Sequence, residues 1–210
     1  MRRGGRALLL LLAIIVGLPV VADLAARAVA QGELTSRLRA RVPSAHGASA
    51  RIHSFPFLLP LLASGRVGEV DAQVRDVDVQ GLRFASIAVD LHGVQLDRGQ
   101  LLDARRVVLD HIDRGGVRAE IGADALASAL GVDVSLEDGR ASVSIAGRRI
   151  SAALAVRNGR LVVDGAGVSL PALSVVAPLL PCVPDAVIEG PRLVLTCQFT
   201  EIPDELKQLR

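Results

Sequence analysis

At 210 residues, half of them hydrophobic, the chain has enough apolar side chain for one domain with a sizeable core, which excludes a disordered tail. The apolar residues are nearly all aliphatic, with four Phe and neither Tyr nor Trp, so the stacking platforms of single-stranded nucleic-acid binders are missing. The formal net charge of +2 comes from Arg2, Arg3 and Arg6; beyond residue 22 the chain carries 21 basic and 22 acidic residues, a net of −1 that gives little counterion-release drive toward nucleic acid.

The positive cluster in residues 1–6, followed by the uncharged run ALLLLLAIIVGLPVV at 7–21, has the form of an export signal. Fifteen helical residues reach about 22 Å, short of the hydrocarbon core of about 30 Å. Residues 1–22 therefore read as a signal peptide or an N-terminal membrane anchor, and residues 23–210 as a single domain. Small residues at the two positions that processing requires occur as Val20/Ala22 and again as Ala28/Ala30. Export to the cell envelope or periplasmic space also bears on Cys182 and Cys197, the only cysteines: an even count outside the cytosol predicts a disulfide.

Residues 23–42 are Ala-rich, with Leu34, Leu38 and Val42 recurring on one face, and predict a helix capped by Asp23 and stopped by Pro43. A polar loop over 44–51 is expected next. The run HSFPFLLPLLA at 53–63 is strongly apolar, yet Pro56 and Pro60 remove backbone donors and rule out a central strand or a long helix. From Arg66 the period becomes two: Val70, Ala72 and Val74 alternate with Asp71, Gln73 and Arg75, and the phase slips at Asp76 as a β-bulge would require. After Gly81 the alternation resumes, with Ile87, Val89 and Leu91 on one side and Ala88, Asp90 and His92 on the other.

Residues 105–112 and 117–121 predict a hairpin, and Asp124 a cap for a short helix over 125–130 that ends at Gly131. A meander follows, turning at Asp138-Gly139, Gly147-Arg148 and Asn158-Gly159, because such dipeptides supply the positive φ of tight hairpin turns. Residues 168–183 hold three prolines and read as a short helix or an extended segment. The last strand, 192–200, places Leu193, Leu195, Cys197 and Phe199 on one face, within reach of Cys182, and a charged tail closes the chain.

Catalytic signatures are sparse. The four His are dispersed, and no nucleophile elbow, phosphate loop, dinucleotide fingerprint or zincin motif occurs. The nearest acid–base group is Asp110, His111 and Asp113, where alternation lets His111 share a side with Asp113 but not with Asp110. No enzymatic activity and no cofactor or metal are expected.

Ser54-Phe55-Pro56-Phe57-Leu58, then Leu61, Ser64-Gly65-Arg66 and Glu69-Val70, then Gly81-Leu82 through Leu91-His92-Gly93-Val94, resemble the LmeA-like phospholipid-binding family of actinobacterial envelope proteins. The segment from Leu180-Pro181 to Leu195 fits that family's closing strand pair, so the resemblance covers essentially the whole chain. Ser54 stands where the family commonly has Gly, and Val67 where Tyr is frequent.

The resemblance implies an α+β fold in which a long N-terminal helix is wrapped by a strongly curved antiparallel β-sheet, like a tubular lipid-binding (TULIP/BPI-like) module. It implies a non-catalytic phospholipid-binding or transfer protein, working at a membrane surface and supporting lipoglycan (mannan) assembly, and it leaves any protein partner unknown. Phe55, Phe57, Leu58, Leu61 and Leu62 are candidates for one end of an acyl-chain cavity, and Ile87, Val89 and Leu91 for its wall. Arg51 and Arg66 flank the greasy segment as candidates for a lipid phosphate. With few large aromatics, the aliphatic side chains either leave a trough or close-pack as in an ordinary core, which would make the chain a structural or partner-binding module.

Overall fold

Helix α1 (Arg2–Arg41) runs unbroken through both the apolar leader and the segment expected to start a new helix at Asp23, with Pro19 inside it. The computed structural model describes residues 2–79, 81–103, 107–137, 139–145, 147–157, 160–164, 173–174 and 182–201. After α1 come β1 (Gly47–Ile52), α2 (Leu58–Ser64), β2 (Arg66–Val79), β3 (Leu82–Leu96), α3 (Arg98–Leu102), β4 (Leu109–His111) and β5 (Arg114–Gly122). They are followed by α4 (Ala123–Leu130), β6 (Asp133–Glu137), β7 (Arg140–Ile145), β8 (Arg148–Arg157), β9 (Arg160–Asp164), β10 (Leu173–Ser174), β11 (Asp185–Glu189) and β12 (Arg192–Phe199).

The strands form two antiparallel sheets. The larger runs β1-β2-β3-β5-β12-β11, with β4 also on β3, and the smaller runs β10-β9-β8-β7-β6. The α+β class, the N-terminal helix and the large antiparallel sheet are as expected. The wrapping is not: no pairing among the described strands closes the large sheet, it is not strongly curled, and the tubular likeness gains no support. Helix α1 instead lies along the edge strand β1. Thr35 Oγ1 accepts from Ala50 N (3.1 Å) and Gln31 Nε2 donates to Ile52 O (3.3 Å), so helix side chains satisfy backbone groups that an open edge leaves unpaired.

Four local expectations are corrected. The polar loop over 44–51 is largely strand β1, whose small residues Ala48 and Ala50 pack inward. The phase slip at Asp76 inserts no extra residue, since Arg75 pairs with Ser86 and Val77 with Phe84 in one continuous register. Asp76 takes φ 48° instead, a left-handed conformation that the short polar side chain of Asp tolerates. The hairpin over 105–121 does not form, because β4 and β5 both pair with β3, at residues 95–96 and 86–92. Helix α4 starts two residues earlier than expected, with Gly122 at its N-cap and Asp124 in its first turn. The meander appears as β6 to β9 in its expected order. Most of residues 168–183 and the tail 202–210 lie outside the described residues.

Two large apolar clusters, beside a small one around Leu130 and Val143, hold the fold. One joins both sheets through α4, with Phe84, Ile121, Leu126, Leu136, Leu161, Leu193 and Leu195 buried together. The other, at the opposite end of β2 and β3, buries Ile52, Phe57, Val67, Val94 and Ile112 against Ala26, Ala30 and Leu34 of α1. The polar face of the large sheet is tied by Glu120, which accepts from Arg192 (2.6 Å) and Arg118 (3.3 Å), while Arg118 also pairs with Glu189. Partial burial pushes the Glu120 carboxyl up, but the two arginines outweigh it and hold it below the usual carboxylate range. A lowered carboxylate stabilises the fold at neutral pH and loses that contribution as pH falls through its folded value.

Candidate functional site

Strand register assembles an aliphatic strip across the large sheet in three rows. Ile52, Val70, Leu91, Gly115 and Phe199 make the first row; Ala50, Ala72, Val89, Val117 and Cys197 the second; Ala48, Val74, Ile87, Ala119 and Leu195 the third. Four residue steps along the strands by four strand spacings give a floor of about 13 by 19 Å. The reverse face in the same registers is mostly polar, with Asp71 opposite Asp90, and Gln73, Arg118 and Thr196 in line.

Coverage of the strip is inverted from what a sheet core normally shows. Its members on β1, β5 and β12 are mostly buried, among them Ala50, Val117, Ala119, Leu195 and Cys197. Those on the central strands β2 and β3, Val70, Ala72, Val74, Ile87, Val89 and Leu91, are only half-buried. Val70 and Leu91 pack on the cluster that includes α1, and Val74, Ile87 and Val89 on the cluster that includes α4. The strip thus spans the ground between two separately closed cores. An aliphatic surface in this position offers burial for hydrocarbon.

Phe199 packs on both clusters, and its ring occupies the space that a Cβ on Gly115 would need. Gly115 is therefore required for the ring to lie down on the strip. Sequence reasoning placed Phe199 on an apolar face but missed this pairing, because it depends on the β5–β12 register. Cys182 and Cys197 form the expected disulfide, with Cα atoms 5.9 Å apart, and fasten the segment before β11 to the strip's second row.

The expected wall residues Ile87, Val89 and Leu91 lie together on the strip. The greasy segment divides: Phe57 is buried, Leu58 and Leu61 are half-buried against the same cluster as Val70 and Leu91, and Phe55 and Leu62 are 62% and 51% exposed. Pro60 falls in the first turn of the seven-residue helix α2, where a missing N–H costs little. Arg51 is exposed and stands opposite Asp71 in the β1–β2 register, on the polar side of the sheet, whereas exposed Arg66 begins β2 opposite Gln95, so the two arginines do not share a site.

The greasy segment is held in place by two residues the sequence did not reveal in these roles. Asp23 is not the cap of its own helix: it lies inside α1, 5% exposed, and its Oδ1 accepts from the backbone N–H groups of Phe57 (2.7 Å) and Leu58 (2.6 Å) at the start of α2. Ser54 Oγ accepts from Gly68 N at 2.7 Å, which ties the segment to β2.

Elsewhere, His111 Nε2 and Asp113 Oδ1 are 3.5 Å apart on the shared side expected, both well exposed. No group of three metal-ligating side chains occurs among the described residues. Two clefts, of about 520 Å³ by α4 and β7 and about 140 Å³ on the polar side of β5 and β12, are lined by none of the residues expected to bind lipid. Among the described residues no helix is long and apolar enough to cross a membrane.

No curated protein and no solved structure matches the chain. A sequence model of one family does, over residues 21–202, which takes in the end of the apolar leader, the greasy segment, the strip and the disulfide. The chain belongs to the LmeA-like phospholipid-binding family.

Proposed function

We propose that the protein is a non-catalytic phospholipid-binding protein of the cell envelope, exported by its N-terminal segment, and that it holds acyl chain against the strip on β2 and β3. The observation that carries this reading is the half-open, wholly aliphatic middle of the large sheet, which packs at its two ends on different buried clusters and is only half covered by them. Each methylene that moves from water onto such a surface contributes about 0.8 kcal/mol, so ten would supply about 8 kcal/mol before the cost of ordering the chain. The disulfide supports an oxidising compartment. A strip open along one side suits a lipid that exchanges, and exchange is what lipid transfer, or any support of lipoglycan assembly, requires.

The test is native mass spectrometry of the gently purified protein, paired with two variants. The wild type is expected to carry phospholipid. Val89→Asp places a charge in the middle of the strip and is expected to harm folding and lipid uptake together. Ala72→Phe adds apolar bulk at a half-buried site, and is expected to leave a folded protein with lipid occupancy reduced severalfold. A wild type that never retains lipid and exchanges none between liposomes would overturn the proposal and favour a structural or partner-binding module. Full occupancy in Ala72→Phe would remove the strip as the site.

A further inference from the structure

We propose that the end of the molecule built from α2, α3 and the middle of α1 is a docking face that seats on the surface of an anionic phospholipid bilayer; this rests on the phospholipid reading above and says where the lipid comes from. Three chain segments meet there. The Asp23 carboxylate fixes α1 to the start of α2, Gly65 O at the end of α2 accepts from Leu96 N (2.9 Å), and Val108 O accepts from Asp97 N (2.9 Å) at the start of α3. Large apolar side chains stand out of this end into solvent: Leu24 is 45% exposed, Phe55 62%, Leu59 70%, Leu62 51%, Leu102 53% and Val107 57%. Apart from α1 and this end, the exposed large apolar side chains among the described residues are Val183 and Val187 alone. Monomeric surfaces seldom concentrate their exposed hydrophobics in this way without a partner.

Two features select a bilayer as that partner. Helix α1 continues outward from the face with Leu18, Val20 and Val21 also exposed, so the apolar surface extends along the direction of the leader. Exposed Arg66 and Arg98 stand beside the C-terminal end of α2 and the start of α3, while the Asp97 carboxylate between them is turned onto Gln100 N. Exposed leucines flanked by these two arginines match the layering of acyl chain under phosphate. The face also adjoins the cluster on which strip residues Val70 and Leu91 pack, so an acyl chain leaving the bilayer here arrives at the edge of the strip.

The chain has no Trp or Tyr, so one introduced Trp reports from a single place. In the full chain, Leu59→Trp, Leu102→Trp and Val187→Trp are mixed separately with phosphatidylglycerol vesicles containing acyl-brominated lipid. Emission from Leu59→Trp and Leu102→Trp is expected to shift to the blue and to be quenched about twofold or more, with Val187→Trp unchanged. Adding Arg66→Glu with Arg98→Glu is expected to weaken vesicle binding severalfold at low salt. Equal quenching at all three positions, or none at Leu59→Trp and Leu102→Trp, overturns the docking face. Unquenched tryptophans in a protein that still carries lipid by native mass spectrometry would leave lipid binding standing without this face. Unquenched tryptophans with concentration-dependent dimerisation would give the face to a second copy of the chain.

Discussion

Asp23 has one carboxylate oxygen bonded to two backbone N–H groups and the other buried without a partner. The N-terminus of α2 presents orphan donors and a partial positive charge, which is what makes a buried anion tolerable there. Asp23→Ala leaves the N–H groups of Phe57 and Leu58 unpaired, and is expected to lower stability by about 2–3 kcal/mol in urea denaturation. Asp23→Asn keeps an acceptor oxygen and is expected to cost less. An alanine variant as stable as wild type would show that the contact does not hold the segment. If the N-terminal segment is removed on the proposed export, the same contact constrains where: cleavage after Ala30 would discard Asp23, whereas cleavage after Ala22 would keep it. The intact mass of protein recovered from the cell-envelope fraction is therefore expected to place its first residue at Asp23 or upstream. Sequence reading identified the right chemistry, a capping carboxylate, on the wrong helix. Residue type marks a cap, but the partner is 34 positions away and only the fold brings it near.

At the scale of elements, legibility followed how strongly each segment's pattern was tied to backbone geometry. The meander was readable because Gly139 and Gly147 take φ of 74° and 77° at its turns, a conformation that few residues other than glycine adopt freely. Strand β1 was not, since Gly47, Ala48, Ser49 and Ala50 have weak strand propensity, and its alternation becomes apolar-in only when β2 and α1 cover it. The disulfide was readable from compartment and spacing. It closes a 15-residue separation across the β11–β12 hairpin and fastens Cys182 beside Val117, the register partner of Cys197. Replacing both cysteines by serine is expected to cost about 3 kcal/mol in the chain-entropy picture, read as a lower urea midpoint in oxidising buffer. A loss below about 1 kcal/mol would mean that the hairpin already imposes the constraint the bridge adds.

For the molecule as a whole, the period-two pattern of β2 and β3 made the aliphatic face visible, whereas its incomplete cover is set by where α1 and the smaller sheet settle, each against a different end. Two closed clusters joined through a half-open strip make a protein whose middle gains stability from whatever apolar matter lies on it. A ligand that binds the folded chain alone stabilises it by about 2.7 kcal/mol when present at a hundred times its dissociation constant. For a domain of this size that corresponds to a rise in melting temperature of about 5–10 °C. Delipidated protein is expected to melt that much lower than protein re-equilibrated with phosphatidylglycerol, with calorimetry as the measurement. The increment should shrink severalfold in Ala72→Phe, whose added ring takes the lipid's place, and persist in the double serine variant, whose lower starting stability does not alter the strip. If lipid raises the melting temperature of Ala72→Phe as much as that of wild type, the stabilising contact lies off the strip, and the exposed docking end becomes the place to look for it.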